Sequence, residues 1–129
     1  MIIAGPGDLY TTILPVLVIP GVVAAIKKSH AKKVFIVNIA NKPFETPNYT
    51  LTDYIAAVKH HLHGFPFTRV IVNTNTKPKI PKNLHYHYVP IAAQSLDKGV
   101  TLVTGDIVDS GYPLHHDPVK LAQMLKKIL

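Results

Sequence analysis

Two loops concentrate the side chains able to do chemistry. The first is Gly5-Pro6-Gly7-Asp8-Leu9-Tyr10-Thr11-Thr12. Gly5 and Gly7 let backbone N–H groups approach a phosphate, and the start of a following helix adds partial positive charge. Tyr10, Thr11 and Thr12 add polar groups, and both threonines can donate hydroxyls. The same residues would equally form a tight strand-to-helix turn with Asp8 capping the helix, and the pattern weighs the two alike. Neither the glycine spacing nor the lysine of the nucleotide-binding fingerprints is present. The second loop holds Asn38, Asn41, Lys42 and Glu45. There a lysine can neutralise phosphate and a carboxylate can bind a ribose or sugar hydroxyl. The competing reading has Glu45 bonded to backbone N–H groups. Asn73 and Asn75 form a third polar turn.

The eight histidines invite a metal reading that their spacing does not support. His60, His61 and His63 fall at one helix end, His85 and His87 share a strand face, and His115 and His116 precede Asp117. No pair has the His-Glu-x-x-His pattern, so no metal site is expected. Ser29, Ser95 and Ser110 sit in no nucleophile elbow. The absence of cysteine excludes a disulfide scaffold, a thiolate metal site and a thiol nucleophile.

The elements that must position these groups follow from hydrophobic periodicity. Ile2–Ala4, Val34–Val37 and Arg69–Asn73 are continuous apolar or β-rich runs, the mark of buried parallel strands. His85–Val89 and Val100–Val103 read as further strands. The stretch from Leu9 to Lys28 reads as one or two helical pieces, with Pro15 and Pro20 at first turns or kinks. Thr50 with Asp53 three residues on signals a helix start, and Gly64 a stop. Asp117-Pro118 opens a last helix with Leu121, Met124, Leu125 and Ile128 on its apolar face. This order predicts one α/β domain over residues 1–129, with a mostly parallel sheet covered on both faces. Ligands bind such sheets at the carboxyl ends of their strands. The loops after Ala4, Val37 and Val72 should therefore share one cleft.

Composition narrows the partners. The 129 residues include 14 basic and 7 acidic side chains, for a net charge of +7. The lysines are scattered and Arg69 is the one arginine, unlike the dense arginine-rich face of most nucleic-acid binders. Nucleic acid is thus an unexpected partner, and anionic small molecules are favoured. The longest apolar run, Ile13 to Ile26, is broken by Pro15, Pro20 and Gly21, and a membrane-spanning helix needs about 20 residues. No membrane partner is expected, and a cytoplasmic location is.

Several segments together resemble the YvcK/CofD-like family. They are Ile3-Ala4-Gly5-Pro6-Gly7-Asp8-Leu9-Tyr10-Thr11-Thr12-Ile13-Leu14-Pro15 followed by Val18-Ile19-Pro20-Gly21-Val22, then Ala31 to Asn38, then Glu45-Thr46 with Tyr49-Thr50 and Asp53-Tyr54, and finally His116-Asp117-Pro118 with Lys120-Leu121-Ala122. The resemblance covers nearly the whole chain in order. It implies a Rossmann-like three-layer sandwich. CofD proteins transfer a phospholactyl group from a guanosine-diphosphate donor to a deazaflavin. YvcK-like proteins are regarded as UDP-sugar-binding regulators of carbon metabolism and cell shape. Family members are roughly twice this length, and their amino-terminal Gly-Gly-Gly-Thr-Gly and Asp-Asp-Gly-Gly segments have no counterpart here. The resemblance is thus to the carboxy-terminal half, as in a fragment, a split gene product or a paralogue. Asp8 and Phe44 stand where Ser and Gly are usual.

The resemblance implies a nucleotide-sugar-binding regulator of the YvcK type. Its ligand, a UDP-sugar or another nucleotide diphosphate, would meet Gly5, Gly7, Asp8, Tyr10, Thr11, Thr12, Asn38, Asn41, Glu45 and Asn73. The alternatives are a CofD-like phospholactyl transferase and a dimerising interaction module without a complete site. No cofactor is expected in this chain, with Mg²⁺ called for only in the transferase. The expected protein partner is a second copy or a missing amino-terminal half.

Overall fold

The computed structural model describes residues 1–91 and 96–129. Ser95 lies outside them. Four strands form a wholly parallel sheet in the order β1-β2-β4-β6: β1 is Ile2–Ala4, β2 Lys33–Ile36, β4 Arg69–Asn73 and β6 Thr101–Gly105. Two short strands, β3 (Ala40–Asn41) and β5 (His87–Tyr88), pair antiparallel as a separate ribbon. The run expected as one more strand at His85–Val89 therefore pairs with the second loop rather than with the main sheet. β3 escapes periodicity because two residues cannot display a period.

Each central strand sends alternate side chains to opposite faces, as the pleat requires. Phe35, Val37, Val70 and Val72 meet the helices of one layer, while Val34, Ile36 and Ile71 meet those of the other. On the first face lie a short π-helical turn at Leu9–Ile13, α1 (Leu14–Leu17), α2 (Val22–Lys28) and α3 (Leu51–Leu62). Their buried residues Leu9, Leu14, Leu17, Ile26, Tyr54 and Val58 complete that core. On the second face α4 (Pro118–Ile128) buries Leu121 with Ile107 and Val108. The fold is therefore an α/β three-layer sandwich.

Local signals place the helix ends. Thr50 accepts from the Asp53 N–H, and Asp53 accepts from the Thr50 N–H at 2.8 Å, closing a reciprocal capping box on α3. At the other end the left-handed residue is His63, at φ 51°, with Gly64 following it. Asp117 accepts from the N–H groups of Val119 and Lys120, and Pro118 occupies the first turn of α4. Pro15 sits in the first turn of α1, and Pro20 lies in the break before α2. None of the described helices alone is long and apolar enough to cross a membrane.

Candidate functional site

Because β1, β2 and β4 are parallel and adjacent, the loops that follow them leave one rim of the sheet. A cleft of about 530 Å³ opens there, within the usual span of about 300–1,000 Å³ for small-molecule sites. Pro6, Gly7 and Asp8 line it from the first loop, and Asn38, Ile39, Ala40 and Lys42 from the second. Tyr86, Leu114, His115 and His116 complete the wall. The last group arrives from two segments that the loop argument did not include. Tyr86 is brought in by the β3–β5 ribbon, and His116 by an antiparallel bridge to Val108 just beyond β6.

The cleft's fixed charges cancel. The Lys42 ammonium pairs with the Asp8 carboxylate, and both remain partly exposed. Its hydrogen bond to Asp8 raises the Lys42 pKa above the ordinary lysine value, against the opposing effect of partial burial. Asp8 departs here from a capping role, because it makes no side-chain bond to the helix it precedes. Burial is the largest cause holding the His116 imidazole below its ordinary pKa, opposed by its contact with the Val37 carbonyl. This burial favours the neutral form of the ring.

The remaining expected site residues build the walls behind the cleft. Glu45 crosses to the first loop, where its Oε1 accepts from the N–H groups of Tyr10 at 2.9 Å and Thr11 at 3.1 Å, with the Thr11 hydroxyl at 3.3 Å. A carboxylate thus satisfies the free N–H groups at the start of the π-helical turn, where partial positive charge collects. Asn41 is buried; it donates to the Tyr49 carbonyl at 2.6 Å and accepts from the Tyr54 hydroxyl at 3.1 Å. The Tyr10 and Tyr49 hydroxyls meet at 2.8 Å. Burial, followed by this bond and the neighbouring charges, pushes Tyr10 up to about 12. Asn73 is 5% exposed and spends its amide on Asn75 and on the Ile107 N–H, tying β4 to the segment after β6. Gly5 packs against β2, where a Cβ would sit 2.7 Å from the Ile36 carbonyl oxygen. Thr12 faces a second, apolar cavity.

Of the ten residues, Gly7, Asp8 and Asn38 line the cleft, while Gly5, Tyr10, Thr11, Thr12, Asn41, Glu45 and Asn73 do not. Lys42, singled out for phosphate, does. His116 could have been found from its place in the His-Asp-Pro segment, but its path back to the rim depends on the Val108 bridge. Among the described residues no group of three or more His, Asp or Glu is arranged to hold a metal ion. Asp8 is the one carboxylate among the described residues lining the cleft, and Lys42 pairs with it.

Comparison with known proteins adds the family context. The family profile described as 2-phospho-L-lactate transferase CofD matches residues 1–108. The chain is 32% identical over 138 residues to the gluconeogenesis factor of Bacillus subtilis, all of it aligning to 43% of that protein. A relative in Aquifex aeolicus is 34% identical over 136 residues, with 41% of its length covered. The crystal structure of a upf0052 family protein from Bacillus halodurans superimposes with a TM-score of 0.81 at 29% identity, over 95% of this chain and 41% of that one. The chain thus spans less than half the length of the proteins it matches.

Proposed function

This chain belongs to the CofD family, and on that premise we propose that its rim cleft binds a nucleoside diphosphate sugar of the UDP-sugar class, in a regulator of carbon metabolism and cell shape related to the gluconeogenesis factors. The observation that carries this reading is the convergence of the Gly7 turn, Asn38 and Lys42 on one cleft at the carboxyl rim of a parallel sheet. The backbone at Gly7 approaches the diphosphate. Lys42 exchanges its Asp8 partner for a phosphate oxygen, a bond between full charges. The Asn38 amide, half-buried on the same wall, reads sugar or ribose hydroxyls. Glu45 acts one step back, by holding the Tyr10 and Thr11 N–H groups that fix the first loop.

The test is calorimetry with UDP-glucose and UDP-N-acetylglucosamine. It is run on this chain and on a chimera supplying the part of the Bacillus subtilis relative that the chain does not cover. Binding that Lys42→Ala weakens at least tenfold is the expected result. A chimera that binds neither sugar ends the proposal.

A second reading rests on a different surface. Ile3, Val16, Val18 and Ile19 are each about half exposed, and the cavity of about 430 Å³ beneath Ile3 and Val16 is lined mainly by hydrocarbon. Exposed apolar area of this kind favours association, with a second copy or with the portion of the family fold lying outside this chain. Light scattering across a concentration series decides it: a strict monomer at high concentration rules out self-association.

A further inference from the structure

The strongest unassigned feature of the cleft is the hydrogen-bonding state of His116. Its Nε2 lies 3.1 Å from the Val37 carbonyl oxygen, which can only accept. Nε2 must then carry the proton, and in the neutral ring Nδ1 is left with a lone pair. The ring makes no other bond to the described residues. No buried side-chain nitrogen or oxygen among them lacks a partner, so Nδ1 is not sealed off from solvent, and His116 lines the cleft.

We infer that His116 is a specificity-determining residue whose Nδ1, in the neutral ring, accepts a hydrogen bond from a ligand hydroxyl. The inference rests on the nucleotide-sugar reading and names what that site selects: a hydroxyl donor, such as a ribose or hexose diol, set beside the diphosphate. A phosphate oxygen cannot fill this position, since it would set an acceptor against an acceptor.

The surroundings fit this role. His115 precedes the ring and its charge would disfavour a second cation. The Asp117 carboxylate is turned away onto the N–H groups of Val119 and Lys120. The Lys120 ammonium is held by the Val108 carbonyl and by Asp106. Asp109 accepts from the N–H groups of Gly111 and Tyr112. Across the cleft the Asp8 and Lys42 charges offset each other. None of these carboxylates bonds to the imidazole in a way that would stabilise its charged form.

Two measurements test the inference, on this chain and on the chimera described above. Nitrogen-15 NMR of the His116 ring should give the Nε2–H tautomer at neutral pH, with the Nδ1 resonance moving on addition of UDP-glucose. The second is the variant His116→Gln, whose side-chain amide can keep the bond to the Val37 carbonyl but does not titrate and carries its acceptor oxygen on a flexible chain instead of a rigid ring. It should fold normally and bind UDP-glucose about tenfold more weakly, the scale of one lost hydrogen bond. Wild-type affinity should change as pH drops through the ring's depressed pKa, where protonation turns Nδ1 from acceptor to donor, whereas the variant's profile stays flat there. An Nδ1–H tautomer, or equal affinities with parallel pH profiles, overturns the role of His116 and leaves the nucleotide-sugar reading standing. Failure of the chimera to bind either sugar at any pH sinks both.

Discussion

Tyr54 and Thr50 show how much rests on single polar groups. The Tyr54 hydroxyl, 1% exposed as a residue, meets Asn41 at 3.1 Å and Thr46 at 3.2 Å, and burial is the main cause pushing its pKa up to about 12. Tyr54→Phe keeps the ring and leaves two buried polar atoms short of a partner. It should cost about 1–3 kcal/mol in urea unfolding. Thr50→Ala removes one half of the capping box and should cost about 1 kcal/mol. Its partner Asp53 is held below the ordinary carboxylate pKa, chiefly by the Thr50 backbone N–H and then by the Thr50 hydroxyl. That contribution is present above the unfolded pKa and is lost as pH falls through the lower folded value. His116 titrates in a different window. Its folded pKa is depressed, so the unfolded chain takes up its proton first. Stability should decline as pH falls from the unfolded histidine value of about 6.5 to the folded one, then level off with respect to this group. Urea midpoints between neutral and mildly acidic pH, compared with those of His116→Gln, would isolate that component.

At the scale of elements, local chemistry was readable and long-range chemistry was not. The α3 box and the Asp117-Pro118 start of α4 lie within a few residues of sequence, and both ends formed where their residue types require. Val34 to Val37 read as buried because nothing polar interrupts it; pairing makes the strand Lys33–Ile36, with Val37 still fully buried beyond it. Glu45 is the opposite case. Its partners lie 34 and 35 residues away, so only the assembled rim reveals that it holds the start of the π-helical turn. Asn73 likewise spends its amide on Ile107, 34 residues on. Two glycines make a further contrast at this scale. Gly5, at φ +91°, would bring a Cβ within 2.7 Å of the Ile36 backbone carbonyl, which cannot move without distorting β2. Gly105 would meet only the end of the flexible Met124 side chain. Gly5→Ala should therefore lower stability by at least about 1 kcal/mol from the positive φ alone, with the clash in addition. Gly105→Ala should lower it less, as thermal denaturation of the pair would show.

For the whole molecule, the sheet and its two covered faces followed from apolar runs and helix signals, because burial on both sides leaves the same imprint on every central strand. The shared rim followed from parallel strands alone. The far wall of the cleft did not, since Tyr86 and His116 reach it through the β3–β5 ribbon and the Val108 bridge, contacts that no local pattern encodes. Among the described residues β1 has a neighbour on one side only, and Ile3 on it is 43% exposed beside the apolar cavity. A strand in that position offers its spare amides and carbonyls as a template to any extended peptide, and the hydrocarbon alongside rewards the meeting. Ile3→Lys would place a charge on that seam, so concentrated solutions of the variant should stay clear under heating that turns the parent chain turbid.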